Sequence, residues 1–343
     1  MSWVFILSAC VKIALVMGMT LTAAGYLTLA ERKIAGWIQN RPGPIRVGPW
    51  GLLQPLADGL KLFFKEELIP DGASRWLFIL APALILVPAL LATAVIPFGD
   101  TVTILGEEIP LIIADIPVAL LFVFAVLSYS VFGILLAGWA SNNKYSLLGG
   151  LRSAAQVVSY ELAMVMAIIT VIILSGTMNT REIALDQQYV WNLFRFPLGT
   201  VAFLIFWLCS FAETNRAPFD MVECESELVG GFHTEYSSMR WALFFMGEYA
   251  AMFVQATLLT TLFLGGHTLF GLESIFPWPW VNALLGLGIF FGKTAFFLFV
   301  FIWVRWTLPR FRWDQIMAFG WKALLPLAMV TVLLSGAFVL LWS

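Results

Sequence analysis

The stretch Trp76-Leu-Phe-Ile-Leu-Ala-Pro-Ala-Leu-Ile-Leu-Val-Pro-Ala-Leu-Leu-Ala-Thr-Ala-Val-Ile96 decides the fold. No charge interrupts it between Arg75 and Asp100. A helix needs about 20 apolar residues to cross the hydrocarbon of a bilayer, and this run supplies them. Seven more segments share the character: 4–30, 110–138, 152–175, 195–213, 240–265, 281–305 and 322–341. Composition agrees, with 61% hydrophobic and 12% charged residues and a mean hydropathy of +0.90. A soluble domain carries about 25% charged residues. The expected fold is an all-α integral membrane protein of about eight transmembrane helices, a single polytopic domain over residues 1–343. Lys12 breaks the first apolar run and no Ala-x-Ala follows, so this segment reads as a span and not as a cleaved signal.

Basic residues gather where the odd-numbered spans end. Fifteen of the 19 lie in the connections between spans 1 and 2, 3 and 4, 5 and 6, and 7 and 8. Arg181 and Arg195 alone mark the other face, and Lys12 and Lys293 fall inside spans. The bias predicts charged loops inside and both termini on the outside, periplasmic-type face. Two inside loops stand out: 31–75 and the acidic 214–239. Within the first, Leu52, Leu53, Leu56, Leu60, Phe63 and Phe64 recur at helical spacing, with Asp58, Lys61 and Lys65 opposite. That pattern predicts a helix over 54–66, too charged to span and suited to lie in the membrane interface.

Several function classes lose support at this stage. A net charge of −2 gives no nucleic-acid footprint. Cys10, Cys209 and Cys224 stand alone, and His233 and His267 make no ligand pattern, so no metal or iron–sulfur site is expected in the chain. No phosphate-binding loop, dinucleotide fingerprint or hydrolase elbow is present, and no catalytic residue is assigned.

What remains is charge in apolar surroundings. Asp115, Glu161, Glu248 and Lys293 fall inside predicted spans, and Glu213 near the end of one. A lone charge near mid-membrane costs at least about 2.5–3.5 kcal/mol, so such residues are ion pairs or working groups. Carboxylates dominate the set, and carboxylates in a low dielectric exchange protons near neutrality. The acidic loop adds Glu223, Glu225 and Glu227, interleaved with apolar residues that include Phe219 and Phe232.

Four groups of motifs together resemble one family. The first is Glu31-Arg-Lys33, Arg41-Pro-Gly-Pro44, Gln54-Pro-Leu-Ala-Asp-Gly-Leu-Lys-Leu62 and Lys65-Glu66. Next come Gly138-Trp-Ala-Ser-Asn-Asn-Lys-Tyr145 and Arg152-Ser-Ala-Ala-Gln-Val-Val-Ser-Tyr-Glu161. Then follow Glu213-Thr-Asn-Arg-Ala-Pro-Phe-Asp220, the Glu223/Glu225/Glu227 run and Glu235-Tyr236. The last are Trp306-Thr-Leu-Pro-Arg310, Arg312-Trp-Asp-Gln315 and Trp321-Lys-Ala-Leu-Leu-Pro326. The resemblance is to the H subunit of respiratory complex I, the proton-pumping NADH:quinone oxidoreductase, whose mitochondrial counterpart is NADH dehydrogenase subunit 1. Pro42 and Ile45 depart from the usual pattern of the first loop.

The resemblance implies a translocase subunit in an energy-transducing membrane, either the bacterial inner membrane or an organelle inner membrane. It implies other complex I membrane subunits as partners, and the quinone-site and cluster-carrying subunits of a hydrophilic arm. Membrane lipid surrounds it, quinone is the substrate, and nucleic acid is no partner. Flavin and iron–sulfur clusters would sit in partner subunits, with no cofactor bound by this chain. Candidates for a quinone chamber are Glu31, Arg32, Arg41, Asp58, Phe219 and Phe232. Candidates for a proton path are Glu223, Glu225, Glu227, Glu213, Glu161, Glu248 and Asp115. A homologous subunit of a membrane-bound hydrogenase-type complex and a mainly structural anchor stay open as alternatives at this point.

Overall fold

The computed structural model describes residues 3–104, 107–220, 229–271 and 278–342. Its helices are α1 (Trp3–Ile38), α2 (Gln54–Phe64), α3 (Arg75–Ala92), α4 (Ala119–Ala140), α5 (Lys144–Ser175), α6 (Thr180–Asp186) and α7 (Leu198–Glu213). They continue with α8 (Ser238–Phe263), α9 (Pro279–Thr307), α10 (Trp313–Phe319) and α11 (Leu325–Trp342). A π-helical turn, Gly320–Leu324, joins α10 to α11. Among the described residues, seven helical stretches are long and apolar enough to cross a membrane: Leu7–Ile38, Arg75–Val95, Ala119–Ala140, Lys144–Ser175, Ser238–Phe263, Trp280–Thr307 and Trp313–Leu341. Leu198–Glu213 is apolar but shorter.

The bundle packs around α3, α5 and α8. Helix α3 lies against α4 and α8, and α5 against α4, α7 and α11. Small residues let these backbones approach. A Cβ on Gly133 of α4 would sit 2.6 Å from Ile85 Cγ1, and one on Gly247 of α8 would sit 2.8 Å from Ile85 Cγ2. In lipid, apolar burial between helices gives no drive, so such close contact supplies the association energy.

Several predicted boundaries move. Helix α1 does not stop at residue 30 but runs through Glu31-Arg-Lys33 to Ile38, because Glu31 finds buried partners. So the 31–75 segment begins helical. Helix α5 starts at Lys144 and not at 152. Asn143 caps it by accepting a hydrogen bond from Tyr145 N–H, and Gly149 packs on the Gly231 backbone, where a Cβ would lie 2.9 Å away. The expected 110–138 span begins only at Ala119. Its first residues belong to a two-stranded antiparallel hairpin, β1 (Thr101–Ile104) with β2 (Glu107–Pro110), and to the loop that follows.

The interfacial helix forms over Gln54–Phe64, close to the predicted 54–66. None of its residues is buried, and Phe64 is 81% exposed. Its end is tied to the start of α8. Ser238 Oγ lies 2.8 Å from Leu62 O and 2.7 Å from Lys65 O. Ser237 Oγ accepts from Leu68 N–H, and Arg240 pairs with Glu67 at 3.0 Å.

Candidate functional site

Helices α1, α2 and the first turns of α8 enclose a cavity of about 610 Å³. Leu21, Tyr26, Leu56, Leu62, Trp241, Phe245 and Met246 are among the apolar residues of its wall. Arg32, Asp58 and Lys61 add charge to it. Arg32 Nη1 donates to Asp58 Oδ2 at 2.7 Å, and Gln54 Nε2 donates to Asp58 Oδ1 at 3.0 Å. A volume of roughly 300–1,000 Å³ with apolar walls and a few polar groups suits a small organic molecule.

One residue before Arg32, Glu31 turns inward and is 5% exposed. Arg216 Nη1 donates to its Oε2 at 2.6 Å, Arg305 Nη1 to its Oε1 at 2.6 Å, and the Tyr249 hydroxyl to Oε2 at 2.7 Å. The Arg216 guanidinium also lies 4.2 Å from the Tyr249 ring centroid. Burial disfavours the Arg216 cation, but Tyr249, Glu31 and Glu248 outweigh it and hold its pKa above the ordinary value. Charge-assisted bonds of this kind are about twice as strong as neutral ones, and three of them satisfy a carboxylate that burial would otherwise penalise. The hub ties α1, the 214–220 segment, α8 and the end of α9 to one residue.

A second group lies beside the first. Glu213 and Glu248 line a narrow cavity of about 40 Å³ with Ser130, Asn215 and Phe232. That volume exceeds the 10–15 Å³ or so that one water needs, and the lining is polar enough to hold one. Gln255 and Glu161 both lie close enough to Glu213 to act on it electrostatically. Its Oε2 is buried with no hydrogen-bond partner among the described residues. Glu161 is hydrogen-bonded to Ser128. Ser128 Oγ also lies 2.8 Å from Phe124 O, so its single hydrogen serves one acceptor at a time. Glu248 interacts electrostatically with Arg216, which links the two groups.

Gln156 fixes the turn after Glu213. Its Nε2 donates to Ala212 O at 3.0 Å and to Phe219 O at 2.8 Å. Farther along, Arg310 pairs with the buried Asp220 at 3.0 Å.

The structure therefore gathers some predicted residues and separates others. Glu31, Arg32 and Asp58 sit together, with Arg32 and Asp58 on the large cavity and Glu31 behind it. Glu161, Glu213 and Glu248 form the carboxylate group. Phe232 belongs to that group and not to the cavity wall. Phe219 packs between Tyr160 and Phe311, at centroid distances of 5.2 and 5.8 Å, and lines neither cavity. Arg41 is exposed and donates to Gln39 Oε1 at 2.6 Å, apart from the hub. Asp115 is not inside a span. It lies in the loop before α4, accepts from Asn179 Nδ2 at 2.6 Å and faces Arg181 at 3.5 Å. Pro117 and Val118 delay the helix start, and a counter-charge at the bundle end suits an exposed carboxylate. Glu223, Glu225 and Glu227 lie outside the described residues.

Tyr249, Arg305, Ser128, Gln156 and Gln255 are functional neighbours that sequence reasoning missed. Tyr249 directly follows Glu248, and Arg216 is the lone base of an acidic stretch, which are weak signals. The pairing of residues 31 and 305 leaves no trace in a single sequence.

Residues 11–336 match the NADH dehydrogenase family profile. The chain is 48% identical over 339 residues to the NADH-quinone oxidoreductase H subunit of Flavobacterium johnsoniae, covering 98% of this chain and 96% of the relative. It is 52% identical over 326 residues to an NADH-quinone oxidoreductase H subunit of Geobacter sulfurreducens, covering 95% and 94%. With the NADH-quinone oxidoreductase H subunit of Leptospira biflexa the identity is 47% over 354 residues, covering 100% and 98%.

Proposed function

The chain belongs to the NADH dehydrogenase family, a multi-pass protein of an energy-transducing membrane, and from that premise we propose that it admits quinone to complex I and couples quinone reduction to proton movement. The observation that carries the reading is the succession of three adjoining environments: an apolar cavity with a charged inner edge, an ionic hub, and a group of partly buried carboxylates.

An isoprenoid quinone has an apolar tail and a polar head. The cavity between α1, α2 and α8 offers walls for the first, and Arg32 and Asp58 offer hydrogen bonds for the second. The exposed apolar face of α2 supports a mouth at the bilayer surface. Quinone reduction takes up protons and changes charge at the head group. Arg216 bonds to Glu31 and senses Glu248, so a change near Arg32 reaches Glu213 and Glu161 through charge interaction.

The short helix α7 is the eighth span in this reading, and both termini face the outside. The chain binds no cofactor; flavin and iron–sulfur clusters sit in partner subunits. The charged loops dock the hydrophilic arm, and the lipid-facing helices meet the other membrane subunits.

Photolabelling of the intact complex with a long-tailed quinone analogue tests the cavity. Label on Tyr26, Leu56 or Trp241 is expected, and label confined to other subunits overturns the assignment.

A further inference from the structure

The loops before α3, α5 and α8 enclose an open cavity of about 520 Å³, which shares no residue with the two cavities described above. Gly72, Ser141, Asn142, Asn143, Lys144 and Glu235 are among its lining. Its parts are fixed by their own contacts. Glu235 Oε1 accepts a hydrogen bond from Asn143 Nδ2 at 2.6 Å, and Asn143 Oδ1 accepts one from Tyr145 N–H at 2.9 Å. Tyr236, the residue after Glu235, stacks flat on Phe78 of α3 with ring centroids 3.9 Å apart. Gly72 approaches Asn142 so closely that a Cβ on it would lie 2.7 Å from Asn142 Nδ2.

Two of the lining groups carry opposite charge and do not neutralise each other. Among the described residues neither Glu235 nor Lys144 forms an ion pair, and Lys144 Nζ lies 5.5 Å from the Tyr145 ring centroid instead. A ligand with one cationic and one anionic group satisfies both, where a simple anion or cation satisfies one. The cavity also lies at a membrane edge. Ser74 N–H donates to Ala140 O at 3.1 Å, which sets the start of α3 beside the end of α4. Trp76 and Trp139 stand there 85% and 70% exposed. Tryptophans in such places sit at the head-group level of a bilayer. From them Ile79 and Leu80 on α3, and Phe132 on α4, continue the exposed apolar faces at helical spacing.

We propose that this cavity binds the head group of phosphatidylethanolamine, with the ammonium on Glu235, the phosphate on Lys144 and the acyl chains along the exposed faces of α3 and α4. The primary ammonium of that lipid donates N–H bonds to a carboxylate, which the quaternary amine of phosphatidylcholine cannot do. Phosphatidylglycerol brings the phosphate without a cation and leaves Glu235 unpaired. The bound head group joins the loops before α3, α5 and α8.

The test uses the whole complex in phosphatidylcholine vesicles that hold a trace of phosphatidylethanolamine with a photoreactive acyl chain. Label is expected on peptides carrying Trp76, Ile79 or Trp139, and unlabelled phosphatidylethanolamine is expected to compete severalfold better than phosphatidylglycerol. Equal competition by the two lipids means contact without head-group choice and overturns the proposal. Competition by inorganic phosphate as strong as by the lipid assigns the cavity to a free anion and overturns it too. Absence of label from these peptides means that a partner subunit covers the cavity, with the same consequence. E235Q is expected to lose the preference for phosphatidylethanolamine over phosphatidylglycerol, and K144Q to lower labelling severalfold. An E235Q complex that keeps the preference overturns the assignment of the ammonium. Where E235Q does not assemble, K144Q decides, and labelling at the parent level in that variant sinks the site.

Discussion

Glu31 is a buried and Glu213 a partly buried carboxylate of one small region, and their surroundings differ in kind. Glu31 meets two guanidinium groups and a phenol, so each of its oxygens is bonded to a cation. Glu213 meets an amide and other carboxylates, and one oxygen has no hydrogen-bond partner among the described residues. The first environment holds a charge still. In the second no bonded cation locks either ionisation state, which is what the proposed proton-carrying role requires. Burial alone says little about a carboxylate; the charge of its neighbours separates a fastener from a proposed carrier.

The largest effect expected from this contrast is at Glu31. E31A takes from the buried Arg216 and from Arg305 the carboxylate they share, and removing one partner of a buried pair costs about 3–5 kcal/mol. The amount of assembled complex and its melting temperature should both fall, and near-normal assembly would break the comparison. At the proposed carriers the pattern inverts. E213Q and E161Q should assemble within about 1 kcal/mol of the parent, since the amide matches the neutral acid in shape. Their proton pumping and quinone reductase rates should drop severalfold together, measured in vesicles with a pH dye. Full pumping stoichiometry in both variants contradicts the carrier role. The smallest effect belongs to the Arg32–Asp58 pair, where the side chains are 49% and 25% exposed. A half-exposed pair contributes about 0–1 kcal/mol. R32A should leave melting nearly unchanged and raise KM for quinone more than it lowers kcat. A reversed split removes Arg32 from the cavity edge.

Much of the bundle was legible in the sequence because a span is a composition before it is a shape. The runs that became α3 and α8 declare themselves by length and lack of charge. The interfacial helix was legible too, since Leu56, Leu60 and Phe63 recur at helical period beside Asp58 and Lys61. Errors came where tertiary partners override composition. Glu31-Arg-Lys33 reads as the flank of a membrane helix, yet α1 continues because Arg216 and Arg305 arrive from about 185 and 274 residues away. Pro110-Leu-Ile-Ile113 is apolar enough to pass for the start of a span, but β2 ends there and the chain loops before α4. For the site, apolar context was enough to single out Glu161, Glu213 and Glu248. It could not separate them from Asp115, whose role as a surface partner of Arg181 depends on where the helix starts.

The fastening of α2 to the first turn of α8 has a mechanical meaning. Ser237, Ser238 and Arg240 grip the end of α2 and the residues just after it. Tyr249 stands eleven residues up the same rod, about 16 Å along its axis. Helix α2 cannot lean away from α1 without loading the base of α8, so one rod carries both the cavity's fastening and the phenol that bonds Glu31.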